Sequence, residues 1–165
     1  MNKFSRLKVL GDGNCLYHAF SKASGIQLTP QQLRDMIAHV TSQSSKYTEM
    51  LRDDWKDVNP DLNLDGLDVS RHVRETKEWG TNAILHLLAL NFRLCIIVYK
   101  KIDRSYYAQK FPYDWDMPDD FECVKTIYLV NEGNHFDALL RNLRNTNDLK
   151  MLMGLVGAVV LALVL

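Results

Sequence analysis

Apolar residues in the first half of the chain recur at helical spacing, and those in the second half fall into strand-like runs. Leu16, Ala19, Phe20 and Ala23 keep the i, i+3, i+4, i+7 spacing of one buried helical face, and Gly25 supplies a stop. Thr29-Pro30-Gln31-Gln32 is a helix start with a capping residue, a proline at the first helical position and a glutamine completing a capping box. Leu33, Met36, Ile37 and Val40 mark the buried face that follows. Tyr47, Met50, Leu51, Trp55 and Val58 mark a third helix, which Asn59-Pro60 should end. Asp61 to Asp68 reads as a loop, and Val69 to Thr76 as a short, weakly patterned helix. After Trp79-Gly80, Thr81 is positioned to cap a helix carrying Ala83, Ile84, Leu87 and Leu88, apolar enough to be buried on more than one side. Asn91 is its expected stop.

Strands come next. Leu94-Cys95-Ile96-Ile97-Val98-Tyr99 has the continuous β-rich character of a central strand buried on both faces. Tyr106 to Phe111 is a second strand and Pro112 to Glu122 an acidic loop with two prolines. Cys123 to Val130 is a third strand. Asn131-Glu132-Gly133-Asn134 is a tight turn, from which His135 to Leu140 returns as the second arm of a hairpin. Helices followed by neighbouring strands predict an α+β or mixed α/β domain.

Composition narrows the class. The 165 residues fit one domain, and 20 Lys+Arg against 20 Asp+Glu leave no electrostatic footprint for nucleic acid. Three cysteines without a CxxC motif or zinc-ligand spacing argue against a disulfide framework or a structural metal and favour a reducing, cytoplasmic compartment; no cofactor is expected. Met1 to Lys8 is polar and basic, without the apolar region of a signal peptide.

The chemistry concentrates at two places. Gly11-Asp12-Gly13-Asn14-Cys15 is a glycine-bearing loop that opens directly into a helix. A thiol in the first helical turn is favoured as thiolate by the helix dipole and free backbone N–H groups, and such a loop can aim amides at an oxyanion. Near the other end, His135 and Asp137 are two apart on an expected strand and share a face. Taken alone, that pair reads as an ordinary hairpin with a surface histidine and aspartate. The other reading is a base and its orienting acid. His18, one turn beyond Cys15, competes for the role of base, while His39, His72 and His86 fall in helical patterns and read as structural or solvated. Cys95 and Cys123 read as buried, inert thiols.

Together, Asp12-Gly13-Asn14-Cys15, Glu78-Trp79-Gly80 and Gly133-Asn134-His135-Phe136-Asp137 resemble the ovarian-tumour (OTU) family of cysteine deubiquitinases, over roughly Val9 to Leu140. The resemblance implies an α+β, papain-like cysteine protease fold of OTU type, with a small mixed sheet packed between helices. It implies Cys15 as nucleophile, His135 as general base and Asp137 as its orienter. Asp12, Gly13, Asn14 and Cys15 would form the loop around the oxyanion hole, and ubiquitin or a ubiquitin-like conjugate would be the partner of a monomeric enzyme. Thr81, Asn82 and Ala83 depart from it, standing where many members carry an acidic residue. Asp114, Asp116, Asp119, Asp120 and Glu122 form an acid-rich loop that reads as solvated; Trp115, Asp116 and Asp119 are its candidates for contact with the basic tail of ubiquitin. A compact domain of this kind suits a viral or microbial member acting in a host cytoplasm. A polyprotein-processing protease with the same triad and an inactive ubiquitin-binding module are the other classes.

The expected organisation is a protease domain over 1–142, a polar linker over 143–150 and an uncharged tail over 151–165. As a helix the tail would span about 22 Å, short of the roughly 30 Å hydrocarbon core. It reads as a short anchor, with Arg141, Arg144 and Lys150 on the cytoplasmic side, or as a terminal element of the fold.

Overall fold

The computed structural model describes residues 3–63, 65–75 and 80–142. The expected linker and tail lie outside these residues. Among the described residues no helix is long and apolar enough to cross a membrane. Two units are distinguished: Arg6–Leu140, and a small one made of Met1–Ser5 with Arg141–Leu165. In the small unit the Asn142 N–H donates to the Lys3 carbonyl and the Ser5 hydroxyl to the Asn142 side chain.

The helices begin and end for local reasons that the sequence carries. α1 (Cys15–Ser24) buries Leu16, Ala19, Phe20 and Ala23 and stops at Gly25, whose φ of 81° favours a residue without a Cβ. α2 (Pro30–Ser42) starts in a complete Thr29/Gln32 capping box. Side chains of Ser44 and Asp68 accept backbone N–H groups at the starts of α3 (Ser45–Val58) and α4 (Val69–Arg74).

α5 (Asn82–Phe92) is buried at every position from Ala83 to Ala89, as its apolar run predicts. Its cap differs from expectation. The Thr81 side chain makes no capping bond; instead Asp54, reaching across from α3, accepts the Ala83 N–H at 2.6 Å. A carboxylate also suits the positive end of a helix dipole better than a hydroxyl. The stop falls at Arg93 in the left-handed region, two residues beyond Asn91, whose amide donates to the Leu87 carbonyl instead.

Five strands form one mixed sheet in the order β1-β5-β4-β2-β3, from β1 (Phe4–Leu7), β2 (Leu94–Ile102), β3 (Ser105–Phe111), β4 (Lys125–Glu132) and β5 (His135–Arg141). β2 pairs antiparallel with β3 and parallel with β4, and β4 and β5 form the terminal hairpin. Leu94, Ile96, Val98, Phe111, Ile127, Leu129, Phe136 and Ala138 share one core with α1 and α5. β2 is therefore interior to the sheet, but only half as buried as expected. Cys95, Ile97 and Tyr99 on its second face are half-buried, because the helices cover the opposite side.

The cysteine expectation also changes. Cys95 and Cys123 form a disulfide, so neither is the inert thiol the apolar surroundings suggested. Cys123 lies in the loop just ahead of β4, which starts at Lys125 rather than Cys123. The parallel register sets Leu94 beside Lys125 and Cys95 beside Thr126, which brings the two cysteines to a Cα separation of 5.4 Å. Of the three cysteines, Cys15 is the free one.

Candidate active site

Cys15 opens α1 behind a loop held from several directions. Asp12 folds back so that its Oδ1 accepts the Asn14 N–H at 2.9 Å, an Asx-turn, while its Oδ2 meets His18 Nε2 at 3.1 Å. Both bonds, the histidine's first, hold the Asp12 carboxyl below its usual range. Gly13 has a φ of 85°, which a side chain would strain. Arg34, buried on α2, donates to the Asn14 side chain at 3.0 Å and to the Gly13 carbonyl at 3.4 Å, with its guanidinium over the Tyr17 ring. Its third direction is the Val73 carbonyl at 2.9 Å. The loop is thus fixed to α2 and α4, and the thiol with it.

Glu78 and Trp79 lie outside the described residues, but Gly80 shows what the second motif needs. A Cβ there would stand 2.6 Å from a Leu16 methyl, so the residue after Cys15 leaves no room for a side chain at position 80.

The β4–β5 turn approaches from the other side. Gly133 takes a φ of 72°, and the following Asn134 carbonyl lies 3.9 Å from Cys15 Sγ. His135 Nε2 is 3.1 Å from Asp137 Oδ1. The opposite edge of the ring faces the Cys15 loop: a Cβ on Gly11 would sit 3.7 Å from Nδ1 and 3.8 Å from Cε1.

Asp137 is 1% exposed and has a partner on every side that the structure describes. Its Oδ1 accepts the Val9 N–H at 2.8 Å beside the His135 contact; its Oδ2 accepts the Arg6 Nε–H at 2.7 Å and lies 2.7 Å from Arg6 Nη2 in an ion pair. Burial alone would raise this carboxyl, but the Val9 amide, the Arg6 guanidinium and the His135 ring together hold it below its ordinary value. It is therefore an acceptor only. Nε2 of His135 carries the proton in the neutral ring, and Nδ1, towards the Cys15 loop, holds the lone pair.

A cavity of about 350 Å³ opens beside the thiol, lined by Cys15, Asp54, Val58, Lys100, Asn131 and Phe136 among others. Lys100 donates to Asn82 Oδ1 at 2.9 Å. Burial lowers its pKa, against the pull of Asp54. Among the described residues no group of three or more His, Cys, Asp and Glu side chains is arranged to hold a metal ion.

The remaining sequence candidates lie elsewhere. His18 is engaged with Asp12. Trp115 is 68% exposed, stacked on Tyr113 at 5.4 Å, and Asp119 is exposed beyond it. Asp116 points inward: its carboxylate, 5% exposed, holds His86 Nε2 at 2.7 Å and Lys46 Nζ. The acid-rich loop is thus not uniformly solvated. None of the three belongs to the described lining of the cavity beside Cys15. Arg6, Arg34 and Asp54 are residues that sequence reasoning missed, since each acts on a partner at least 20 positions away.

The model of the OTU-like cysteine protease family matches residues 10–136. Among solved structures, an ovarian-tumour domain in complex with ubiquitin is similar at 22% identity and a TM-score of 0.58, over 84% of this chain and 70% of that one. An OTU deubiquitinase from Wolbachia pipientis wMel is similar at 16% and 0.59, over 92% and 97%. The viral OTU domain protease of Dera Ghazi Khan virus is similar at 17% and 0.60, over 85% and 82%. At these identities the likeness is one of fold. No curated protein matches the chain significantly in sequence.

Proposed function

This chain belongs to the OTU-like cysteine protease family, and from that premise we propose that it is a deubiquitinase, releasing ubiquitin or a ubiquitin-like modifier from its conjugates. The observation that carries the reading is the orientation of His135, which turns Nε2 to a buried carboxylate and its other ring edge to the loop bearing the single free thiol. Solved relatives of the same fold include a ubiquitin complex, which supports the substrate class.

In this reading His135 Nδ1 takes the Cys15 proton, and Asp137 steadies the imidazolium that results. The thiolate adds to the carbonyl carbon of the modifier's C-terminal glycine. Backbone amides of the Asp12–Cys15 loop, other than the Asn14 N–H that Asp12 holds, face the developing oxyanion, whose charge they stabilise without reorganising. As the tetrahedral species collapses, the imidazolium protonates the departing lysine amine and a thioester remains. Water then adds with His135 as base, and expulsion of the Cys15 thiolate frees the modifier with a C-terminal carboxylate.

Residues 1–142 carry this activity, and 151–165 serve as an anchor joined through 143–150. The anchor is tested by ending the chain at Lys150; unchanged partitioning between membrane and cytosol refutes it. The enzyme is tested with a ubiquitin probe carrying a C-terminal electrophile. Wild type should be labelled under reducing conditions at neutral pH and Cys15→Ala should not. An unlabelled wild type refutes the proposal for ubiquitin, and the same probe built on a ubiquitin-like modifier then tests the alternative substrate.

A further inference from the structure

Asp137 is an unusual carboxylate for its place, since it is almost wholly buried yet must be charged to steady an imidazolium. A buried carboxyl without compensation takes up a proton rather than remain ionised. Its two oxygens are compensated differently. Oδ1 is met by the Val9 amide and by His135 itself. Oδ2 is met by Nε and Nη2 of Arg6, and no other donor to it is recorded among the described residues.

Arg6 in turn is held from behind. Its Nη1 donates to Glu132 Oε2 at 2.8 Å, and Glu132 also accepts the Tyr106 hydroxyl and lies 3.9 Å from Lys101. Glu132 pairs across the hairpin with His135. The guanidinium therefore spans two acids, one buried beside the histidine and one at the rim. The charged groups around the site are Arg6 from β1, Glu132 from β4 with Lys101 of β2 near it, His135 and Asp137 on β5, Asp54 of α3 and Lys100 of β2 in the cavity wall, and Asp12 of the Cys15 loop, paired to His18 of α1.

We propose that Arg6 is a positioning residue of this site: clamped by Glu132, it fixes the Asp137 carboxylate as an anion on the Nε2 side of His135. This inference rests on the reading of Cys15, His135 and Asp137 as a triad. Without Arg6, Oδ2 is the oxygen that takes a proton. The neutral acid still accepts from His135 through Oδ1, so the geometry survives while the charge is lost. His135 becomes a weaker base, and the Cys15 thiolate forms only at higher pH. An ordinary surface ion pair would contribute little; this one acts through a partner that water does not reach.

Three readouts separate positioning from mere support of the fold. Alkylation of Cys15 by iodoacetamide as a function of pH needs no ubiquitin and follows the thiolate directly. Its midpoint should move up by about one pH unit in Arg6→Gln. With a ubiquitin C-terminal fluorogenic substrate, kcat should fall about tenfold or more while KM changes less than about threefold. Added to Asp137→Asn, Arg6→Gln should cost less than about twofold further, because both changes remove the same charge. Arg6→Lys, which keeps the charge, should recover much of the loss, and Glu132→Gln should shift the midpoint in the same direction by less. An unmoved alkylation midpoint in folded Arg6→Gln overturns the proposal, and so does an equal loss in the wild-type and Asp137→Asn backgrounds. Should Arg6→Gln fail to fold, an unmoved midpoint in Glu132→Gln overturns it instead. If the midpoint shifts but no modifier is cleaved, the substrate reading falls and the role of Arg6 stands.

Discussion

His135 meets Asp137 at 3.1 Å and His86 meets Asp116 at 2.7 Å, each through Nε2, yet the two pairs are built for opposite ends. His135 is 32% exposed and spends one nitrogen, keeping the other for the cleft. His86 is fully buried and spends both: Nδ1 accepts the Tyr113 N–H at 3.0 Å while Nε2 donates to Asp116. Its ring also lies in a stack with Tyr113 and Trp115. Burial, with Lys46 close by, lowers its pKa to about 4, so it stays neutral near pH 7. A histidine acts as a base only where a lone pair is left over and water or a reactant can reach it. Neither the residue pair nor its distance distinguishes the two; the second nitrogen does.

The largest effect expected is at the open pair. His135→Ala and Cys15→Ala should each lower kcat/KM by at least about 10³-fold with little change in thermal midpoint, and Asp137→Asn by about 10²–10⁴-fold with a lower midpoint as well, since it takes the buried anion away from Arg6. Substitution at the closed pair should do the reverse. His86→Leu leaves the Tyr113 amide unmatched and Asp116 with Lys46 alone, and should cost about 2–3 kcal/mol in urea unfolding, while the folded fraction keeps its kcat. A matching loss of kcat in folded His86→Leu would break the contrast.

Acid sharpens it further. Because the folded-state pKa of His86 lies below the unfolded value of 6.5, its contribution is complete above pH 6.5 and is lost as pH falls towards 4. The decline should approach about 3 kcal/mol, and should be absent in His86→Leu. The smallest effect belongs to the exposed His18–Asp12 pair. His18→Gln should change stability by less than about 1 kcal/mol and activity by no more than a few-fold. A complete loss of activity there would restore His18 as a contender for the base.

Elements governed by local geometry were legible. The α1 face, the Gly25 stop, the Thr29 capping box and the Gly133 turn each follow from residues within a turn or two of one another. The two stretches that the sequence marks for chemistry, around Cys15 and around His135, do meet at one cleft. What escaped was long-range polar pairing, which leaves no periodic trace. β1 has three exposed residues among its four, so nothing advertises it as a strand, and Arg6 finds Asp137 131 positions later. The Cys95–Cys123 bridge depends on the register of two parallel strands. Asp116 sits among solvated acids in sequence and only the fold turns it inward.

The carboxylate of Asp54 holds two offices at once, closing the start of α5 and forming part of the wall beside Cys15. A change at Asp54 therefore alters that stretch of wall and loosens the start of a helix buried from Ala83 to Ala89 together. A change of substrate preference has freer material in Val58, exposed on the same wall and tied to no cap. A library meant to redirect this site would do well to spare the first and randomise the second.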